Sequence, residues 1–282
     1  MPDIPTIPLN DGTAIPQLGF GTWQISPEDA VAAVSDAFEA GYRHIDTAQM
    51  YGNEREVGEA VRRSGLGRAE VWITSKLNNG VHRPDDARRA FDATLDALGM
   101  DHVDLFLIHW PLPMLYGGDY VSTWNTLTEF AREGRARSVG VSNFQPEHLD
   151  RLAAETDLVP SVNQIEAHPY FLNDAVRAAG HARGTVTEAW SPLAQGTILK
   201  DPEVARIAEA LGRTPAQTVL RWHIQRGDVV FPKASRAERM RENAALFDFE
   251  LGADDMAALS ALDRGDAGRV GPHPDTFDLV PD

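Results

Sequence analysis

Two spacings alternate along this chain. Short apolar runs with strand character fall near residues 18–21, 43–46, 71–75, 103–108, 138–141, 162–166, 185–189 and 229–231. Between them apolar positions recur every three or four residues, the period of a helix with one buried face. Those stretches predict helices near 27–39, 54–63, 84–98, 122–133, 146–155 and 174–183. Two more, at 202–211 and 215–225, precede the last strand, and one at 237–246 follows it. Ahead of the series, Thr6-Ile7-Pro8-Leu9 and Ala14-Ile15-Pro16 flank Asn10-Asp11-Gly12, a turn sequence that predicts a small β-hairpin.

The punctuation agrees with the periods. Ser26-Pro27-Glu28-Asp29 sets a capping serine, a first-turn proline and two acids at the positive end of a helix, and Asp201-Pro202 and Thr214-Pro215 repeat the device. Gly41, Gly134 and Gly227 sit where helices should stop. Strands separated by helices, with no Pro/Gly/Ser-rich linker, predict an α/β protein. The reading is one (β/α)8 TIM barrel domain over residues 1–282, with an open doubly wound sheet as the main rival. The barrel explains a pattern: Asp46, Lys76, His109, Ser142, Gln164, Trp190 and Lys233 all fall at C-terminal ends of predicted strands. That is the end at which a barrel gathers its active site.

Composition narrows the field. With 42 acidic against 26 basic residues the net charge is −16, which argues against nucleic acid or an anionic membrane as the main partner. No cysteine is present, so disulfides and thiolate catalysis are excluded. Met1-Pro2-Asp3-Ile4-Pro5 has no basic region followed by an apolar stretch, and no apolar run approaches the roughly 20 residues of a membrane span. A soluble, cytoplasmic protein is expected.

The candidate chemistry lies in His44-Ile45-Asp46-Thr47-Ala48-Gln49-Met50-Tyr51-Gly52-Asn53-Glu54, in Thr74-Ser75-Lys76-Leu77 and in Leu105-Phe106-Leu107-Ile108-His109-Trp110-Pro111. Taken singly, a Tyr five residues past a strand is usually a packing residue, and a His at a strand end is usually structural. A Lys ending an apolar strand is harder to dismiss, because burying it unpaired is costly. Together, Asp46, Tyr51, Lys76 and His109 can form a proton donor beside a carbonyl-orienting imidazole. An unperturbed phenol titrates near 10, and a neighbouring ammonium is expected to lower it. Asp46 would hold Lys76 in place, and a neutral His109 would hydrogen-bond the substrate oxygen. Val229–Asn243 is a second anomaly: Lys233, Arg236, Arg239 and Arg241 crowd the start of a predicted helix in an otherwise acidic chain. A helix N-terminus with flanking cations suits an anion, although such a run is often only a solvated face. Gly65-Leu66-Gly67-Arg68-Ala69-Glu70 follows a helix and is a poor dinucleotide fingerprint, and His102, His109 and His168 form no HxH or HExxH metal pattern.

These segments, with Gly19-Phe20-Gly21-Thr22-Trp23, Ser142-Asn143-Phe144 and Glu188-Ala189-Trp190-Ser191-Pro192-Leu193, strongly resemble the aldo-keto reductase family across essentially the whole chain, most closely its bacterial 2,5-diketogluconate-reductase-like branch. The resemblance implies NADPH-dependent reduction of aldehydes or ketones by a monomer, with dicarbonyls or keto sugars as candidate substrates. It assigns catalysis to Asp46, Tyr51, Lys76 and His109. It also implies nicotinamide contacts from Ser142, Asn143 and Gln164, with Trp190 as the stacking aromatic. The loop through Ser191, Pro192, Leu193, Gln195 and Gly196 would close over the pyrophosphate, with Gly21, Thr22 and Trp23 beside the cofactor. Lys233, Ala234, Ser235 and Arg239 would surround the 2′-phosphate, and Glu242 and Asn243 the adenine. Trp23, Tyr51, Asn78, His109 and Trp110 would line the substrate pocket, and the stretch after Asp263 would form a C-terminal loop on the substrate side. Two departures matter. Ala234 stands where many relatives have a hydroxyl residue, and Asn78 stands where many have Trp, which implies a wider or more polar pocket. A rival role on the same barrel is a nucleotide-binding redox sensor or regulatory subunit.

Overall fold

The computed structural model describes residues 4–234 and 236–280. Strands β1 (Thr6–Pro8) and β2 (Ala14–Pro16) pair antiparallel with Ile7 opposite Ile15. Gly12 turns the chain between them at φ +88°, a conformation that other residues adopt only with strain.

Eight further strands follow: β3 (Phe20–Gly21), β4 (His44–Asp46), β5 (Trp72–Leu77), β6 (Val103–Ile108), β7 (Ala136–Ser142), β8 (Val162–Glu166), β9 (Val186–Trp190) and β10 (Val229–Val230). They form one parallel sheet in strict sequence order. Helices α1 (Pro27–Glu39), α2 (Glu54–Ser64), α3 (Pro84–Leu98), α4 (Tyr120–Arg132), α5 (Pro146–Glu155) and α6 (Asp174–His181) make the first crossovers. Between β9 and β10 lie α7 (Pro202–Leu211) and α8 (Pro215–Gln225), and after β10 come α9 (Ala237–Ala244) and α10 (Ala253–Ser260). The sheet curls until its edges meet. A parallel bridge links Leu18 to Val230, where the Gly19 N–H donates to the Val230 carbonyl at 2.7 Å and the Val230 N–H to that of Gln17 at 3.0 Å.

Several boundaries differ from those expected. α4 begins at Tyr120, not Ser122, because Asp119 is its cap: the Asp119 carboxylate accepts from the Ser122 N–H at 3.0 Å. β5 continues to Leu77 and β9 to Trp190, so Lys76 and Trp190 belong to strands. α10 was not foreseen, because Leu259 alone in it is fully covered and its apolar stripe is weak.

The period of two along each strand sorts the side chains. Phe106 and Ile108 face outward into the main core with Phe91 of α3 and Phe130 of α4, while Leu105 and Leu107 belong to a second cluster with Trp72, Val162 and Val229. Leu9 and Ile15 of the hairpin join that second cluster, so the hairpin closes the N-terminal mouth of the sheet. Asp11 accepts from the Ser161 hydroxyl at 2.9 Å, fastening the hairpin to the start of β8. By the same alternation Asp46, Lys76, Gln164 and Glu188 point into the curl, toward its opposite end.

Gly58 marks where α2 presses on the end of α3. A Cβ there would lie 2.0 Å from the Leu98 carbonyl oxygen, a backbone atom that cannot swing aside. Gly58→Ala should therefore cost about 1–3 kcal/mol as overpacking does. Calorimetry would register this as a lowered Tm, and an unchanged Tm would mean that the helices spread without cost.

Candidate active site

Four ionisable residues meet at the C-terminal end of the sheet, carried by three strands. Asp46 ends β4, and Tyr51 lies on the 3-10 turn Gln49–Tyr51 just beyond it. Lys76 is the penultimate residue of β5, and His109 follows β6 directly. The Lys76 side chain is wholly buried, and its ammonium donates to Asp46 Oδ1 at 2.7 Å, to the Thr47 carbonyl at 2.9 Å and to the Tyr51 hydroxyl at 3.3 Å. All three donor positions are thus used. The Tyr51 and His109 rings meet edge to face with centroids 5.7 Å apart.

Burial pulls Lys76 toward neutrality, but the carboxylate of Asp46 and the Tyr51 hydroxyl outweigh it and hold the ammonium above its ordinary range. Asp46 is pushed up by burial, against the pull of Lys76 and Gln164. His109 lies well below the ordinary imidazole range, because burial, Lys76 and His82 all disfavour its cation; it is a neutral ring. For Tyr51 the ammonium acts as expected but does not set the net direction. Burial raises the phenol above its ordinary range; Lys76 does draw it down but does not outweigh burial, and Asp46 adds to the rise. The residue as a whole is partly exposed, but its hydroxyl sits among buried groups. The protein therefore holds this phenol protonated.

The polar residues expected around a nicotinamide also converge. Ser142 ends β7 and donates to the Gln164 carbonyl at 2.8 Å. Asn143, at φ +65°, donates through Nδ2 to the His109 carbonyl at 3.0 Å and accepts from the Trp190 indole N–H at 2.8 Å. Gln164 is the third of five residues in β8 rather than its end, and its amide nitrogen is committed to two carboxyls, Asp46 and Glu188, each at 2.8 Å. Trp190 is partly exposed, and Ser191, Ala194, Gln195 and Gly196 beyond it all adopt positive φ. Pro192 is covered, and Leu193 is partly so.

Gly21, Thr22 and Trp23 form the rim after β3. A Cβ on Gly21 would meet the Phe231 carbonyl oxygen at 2.7 Å, so this close approach to the chain after β10 requires glycine. Thr22 is buried and donates to the Asp46 carbonyl at 3.0 Å, whereas Trp23 is 46% exposed. Gln24, the next residue, accepts from the Lys233 ammonium at 3.1 Å, so the two loops touch. Arg239 lies 3.6 Å from Glu242 on the exposed side of α9, Asn243 is buried, and Ala234 packs into the core. Arg236 begins α9 without a side-chain cap, leaving its first N–H groups free of one. Ser235 lies outside the described residues.

At the rim beyond β6 Trp110 packs against Phe277, the rings tilted by 40° with centroids 4.2 Å apart, and lies 6.5 Å from Trp190. Asn78 is partly exposed and spends its side-chain oxygen on the Gly80 N–H at 2.9 Å. The C-terminal segment crosses this rim. Glu166 accepts from the Val270 and Gly271 N–H groups at 2.5 and 2.9 Å, and Asn79 donates to the Leu279 carbonyl at 2.9 Å. Phe277, Glu166 and Glu188 escaped the sequence reading. The acids carried a signal, each being the single charged residue of its strand. Among the described residues no group of His, Asp and Glu is placed to hold a metal ion, and no helix is long and apolar enough to cross a membrane.

Comparison with known proteins agrees with this geometry. Residues 17–264 match the Aldo/keto reductase family. An aldo-keto reductase of Mycobacterium sp. (strain JLS) is 47% identical over 276 residues, which cover 98% of this chain and 99% of that one. Methylglyoxal reductase DkgA of Escherichia coli (strain K12) is 42% identical over 276 residues, covering 96% of this chain and 97% of DkgA. Among solved structures, a Gox0644 mutant in complex with NADPH is similar with a TM-score of 0.93 and 41% identity, covering 98% of this chain and 99% of the other.

Proposed function

Because the chain belongs to the aldo/keto reductase family, we propose that it is an NADPH-dependent reductase of aldehydes and ketones, built as one closed (β/α)8 barrel and drawing its proton from Tyr51. The observation that carries this reading is the Lys76 ammonium, wholly buried and shared between Asp46 and Tyr51 beside a neutral His109. NADPH supplies the hydride when bound. The chain's own residues do the rest. His109 donates a hydrogen bond to the carbonyl oxygen and orients it, Tyr51 gives that oxygen its proton, and Lys76 stabilises the negative charge left on the phenol. A protonated phenol at neutral pH is the form this role requires.

The donor set suits NADPH. Ser142, Asn143 and Gln164 hydrogen-bond one another and the Trp190 indole, so a nicotinamide carboxamide would exchange with some of those internal bonds, and the α9 start offers N–H groups with Lys233, Arg236 and Arg239. The NADPH complex of the similar Gox0644 structure supports the same choice. The likeness to DkgA supports the 2,5-diketogluconate-reductase-like branch and small dicarbonyls or keto sugars as substrates. We place the enzyme in the cytoplasm as a monomer. Loss of NADPH absorbance with a panel of dicarbonyls, keto sugars and aromatic aldehydes tests the reading. A chain that binds NADPH but turns over none of them would be a nucleotide sensor instead.

Cofactor choice yields a prediction of its own. Lys233 and Arg239 offer two cations to a phosphate that NADH lacks, and charge-assisted contacts of this kind favour NADPH by roughly one to three orders of magnitude. The lower end is expected here, since Gln24 and Glu242 already engage those cations and Ala234 has no hydroxyl. Arg239→Ala should weaken NADPH binding far more than NADH binding. Equal losses for both cofactors, in fluorescence titrations, would mean that the basic start of α9 is only a solvated surface.

A further inference from the structure

One carboxyl at the heart of the site has no part in the roles above. Glu188 lies in the middle of β9, wholly buried, with Val229 of β10 and Gln164 of β8 as its neighbours across the sheet. Its Oε2 accepts from Gln164 Nε2 at 2.8 Å, while the same nitrogen donates to Asp46 Oδ2 at 2.8 Å. One amide thus joins two carboxyls. Glu188 Oε1 has no hydrogen-bond partner and lies 3.9 Å from His44 Nε2. We propose that Glu188 is a positioning residue for carbonyl reduction: as a neutral acid it shares the Gln164 amide with Asp46, and so fixes the Asp46–Lys76–Tyr51 chain. This inference rests on the reductase reading.

Every charged or titratable group facing Glu188 favours its neutral form or is too committed to prevent it. Asp46 of β4 is a like charge. Lys76 of β5 is attractive, but its three donors go to Asp46, Thr47 and Tyr51. His44 of β4 offers no cation, because burial lowers it to about 3, and its ring nitrogens already face Pro16 O and the Thr74 hydroxyl. β10 contributes only Val229 here. Burial first, then repulsion from Asp46, push the Glu188 carboxyl up to about 8, so the proton of this pair resides on Glu188 while Asp46 keeps its charge for Lys76. Above that pH a second negative charge appears behind Asp46. It competes for Gln164, tightens the hold on Lys76 and makes Tyr51 a weaker acid.

The sign for stability follows from the same shift. A carboxyl that titrates higher in the folded than in the unfolded chain makes the native state bind the extra proton. Native stability is then lost as pH rises from the ordinary glutamate range to about 8. Glu188→Gln keeps the neutral shape and cannot ionise.

The test measures kcat with a reactive aldehyde and the urea midpoint, each from pH 6 to 9.5, in the wild type, Glu188→Gln and Glu188→Ala. The wild-type kcat should fall through an inflection near pH 8 that Glu188→Gln lacks, by roughly three- to tenfold for a phenol weakened by up to about one unit. Glu188→Gln should match the wild type at pH 6.5, whereas Glu188→Ala, which deprives Gln164 of an acceptor, should be slower at every pH. The wild-type urea midpoint should drop between pH 6 and 8 relative to Glu188→Gln. Superimposable kcat profiles for wild type and Glu188→Gln, or parallel urea midpoints, would overturn the proposal. A wild type that reduces no aldehyde at any pH defeats the reductase reading and this role with it, whereas active wild type with superimposed profiles defeats this role alone.

Discussion

Tyr51→Phe should lower turnover of a reactive aldehyde by roughly 10²–10⁴-fold, the range for a lost general acid, with NADPH affinity nearly unchanged. The substitution removes one oxygen and keeps the ring that packs against His109. Lys76 loses its longest contact, at 3.3 Å, and keeps Asp46 at 2.7 Å and the Thr47 carbonyl at 2.9 Å, so the ion pair and the fold survive. A defect confined to kcat is therefore a statement about proton transfer. Steady-state kinetics with a fluorescence titration of NADPH separate the two quantities. Near-wild-type turnover would remove Tyr51 from the mechanism.

Lys76→Met should be as damaging to turnover and should also destabilise the protein. The Met fills much of the same volume, but Asp46 would remain buried with Gln164 as its side-chain hydrogen-bond donor. Breaking a buried ion pair from one side costs about 3–5 kcal/mol, because the abandoned charge has no solvent to turn to. Asp46→Asn should be milder on both counts: it leaves the Lys76 ammonium without its counter-charge, but the amide oxygen can still accept from that ammonium, which also keeps the Thr47 carbonyl and the Tyr51 hydroxyl. Urea titrations and kcat for the two variants would show this asymmetry. A stable, active Lys76→Met protein would mean that the ammonium neither tunes the phenol nor anchors Asp46.

The strands and most helices were legible because burial imposes its period on the sequence, and the caps and stops at Ser26, Asp201 and Thr214 and at Gly41 and Gly227 mark their ends. The four residues could be picked out because each ionisable group interrupts or closely follows an apolar run, and the structure brings them within contact. The interior polar layer was not legible. In a strand, alternating polar residues ordinarily mark a solvent face, yet His44, Thr74, Gln164 and Glu188 point into a closed interior. Only the curl of the sheet reverses that meaning. The net direction of the Tyr51 shift was not legible for a related reason: a sequence shows the neighbouring charge, which does lower the phenol, but not the depth of burial opposing it. The C-terminal contacts of Phe277 and Leu279 join residues about 170–200 positions apart, a distance that local patterns do not encode.

Those C-terminal contacts divide labour in a way that bears on how such a protein diversifies. The segment from Arg269 to Val280 adds nothing to the sheet, yet its Phe277 packs on Trp110 and its Gly271 lies so close to Trp190 that a Cβ would meet the indole at 2.4 Å. Glu166 and Asn79 hold it by backbone N–H and carbonyl groups, which every residue but proline supplies. Apart from Gly271, which leaves no room for a side chain, and Phe277, which packs on Trp110, residues along this strap can change while its path is kept. Selection for a new carbonyl partner can act there first, on a surface whose changes leave the Asp46–Lys76–Tyr51 cluster and the folded state largely untouched.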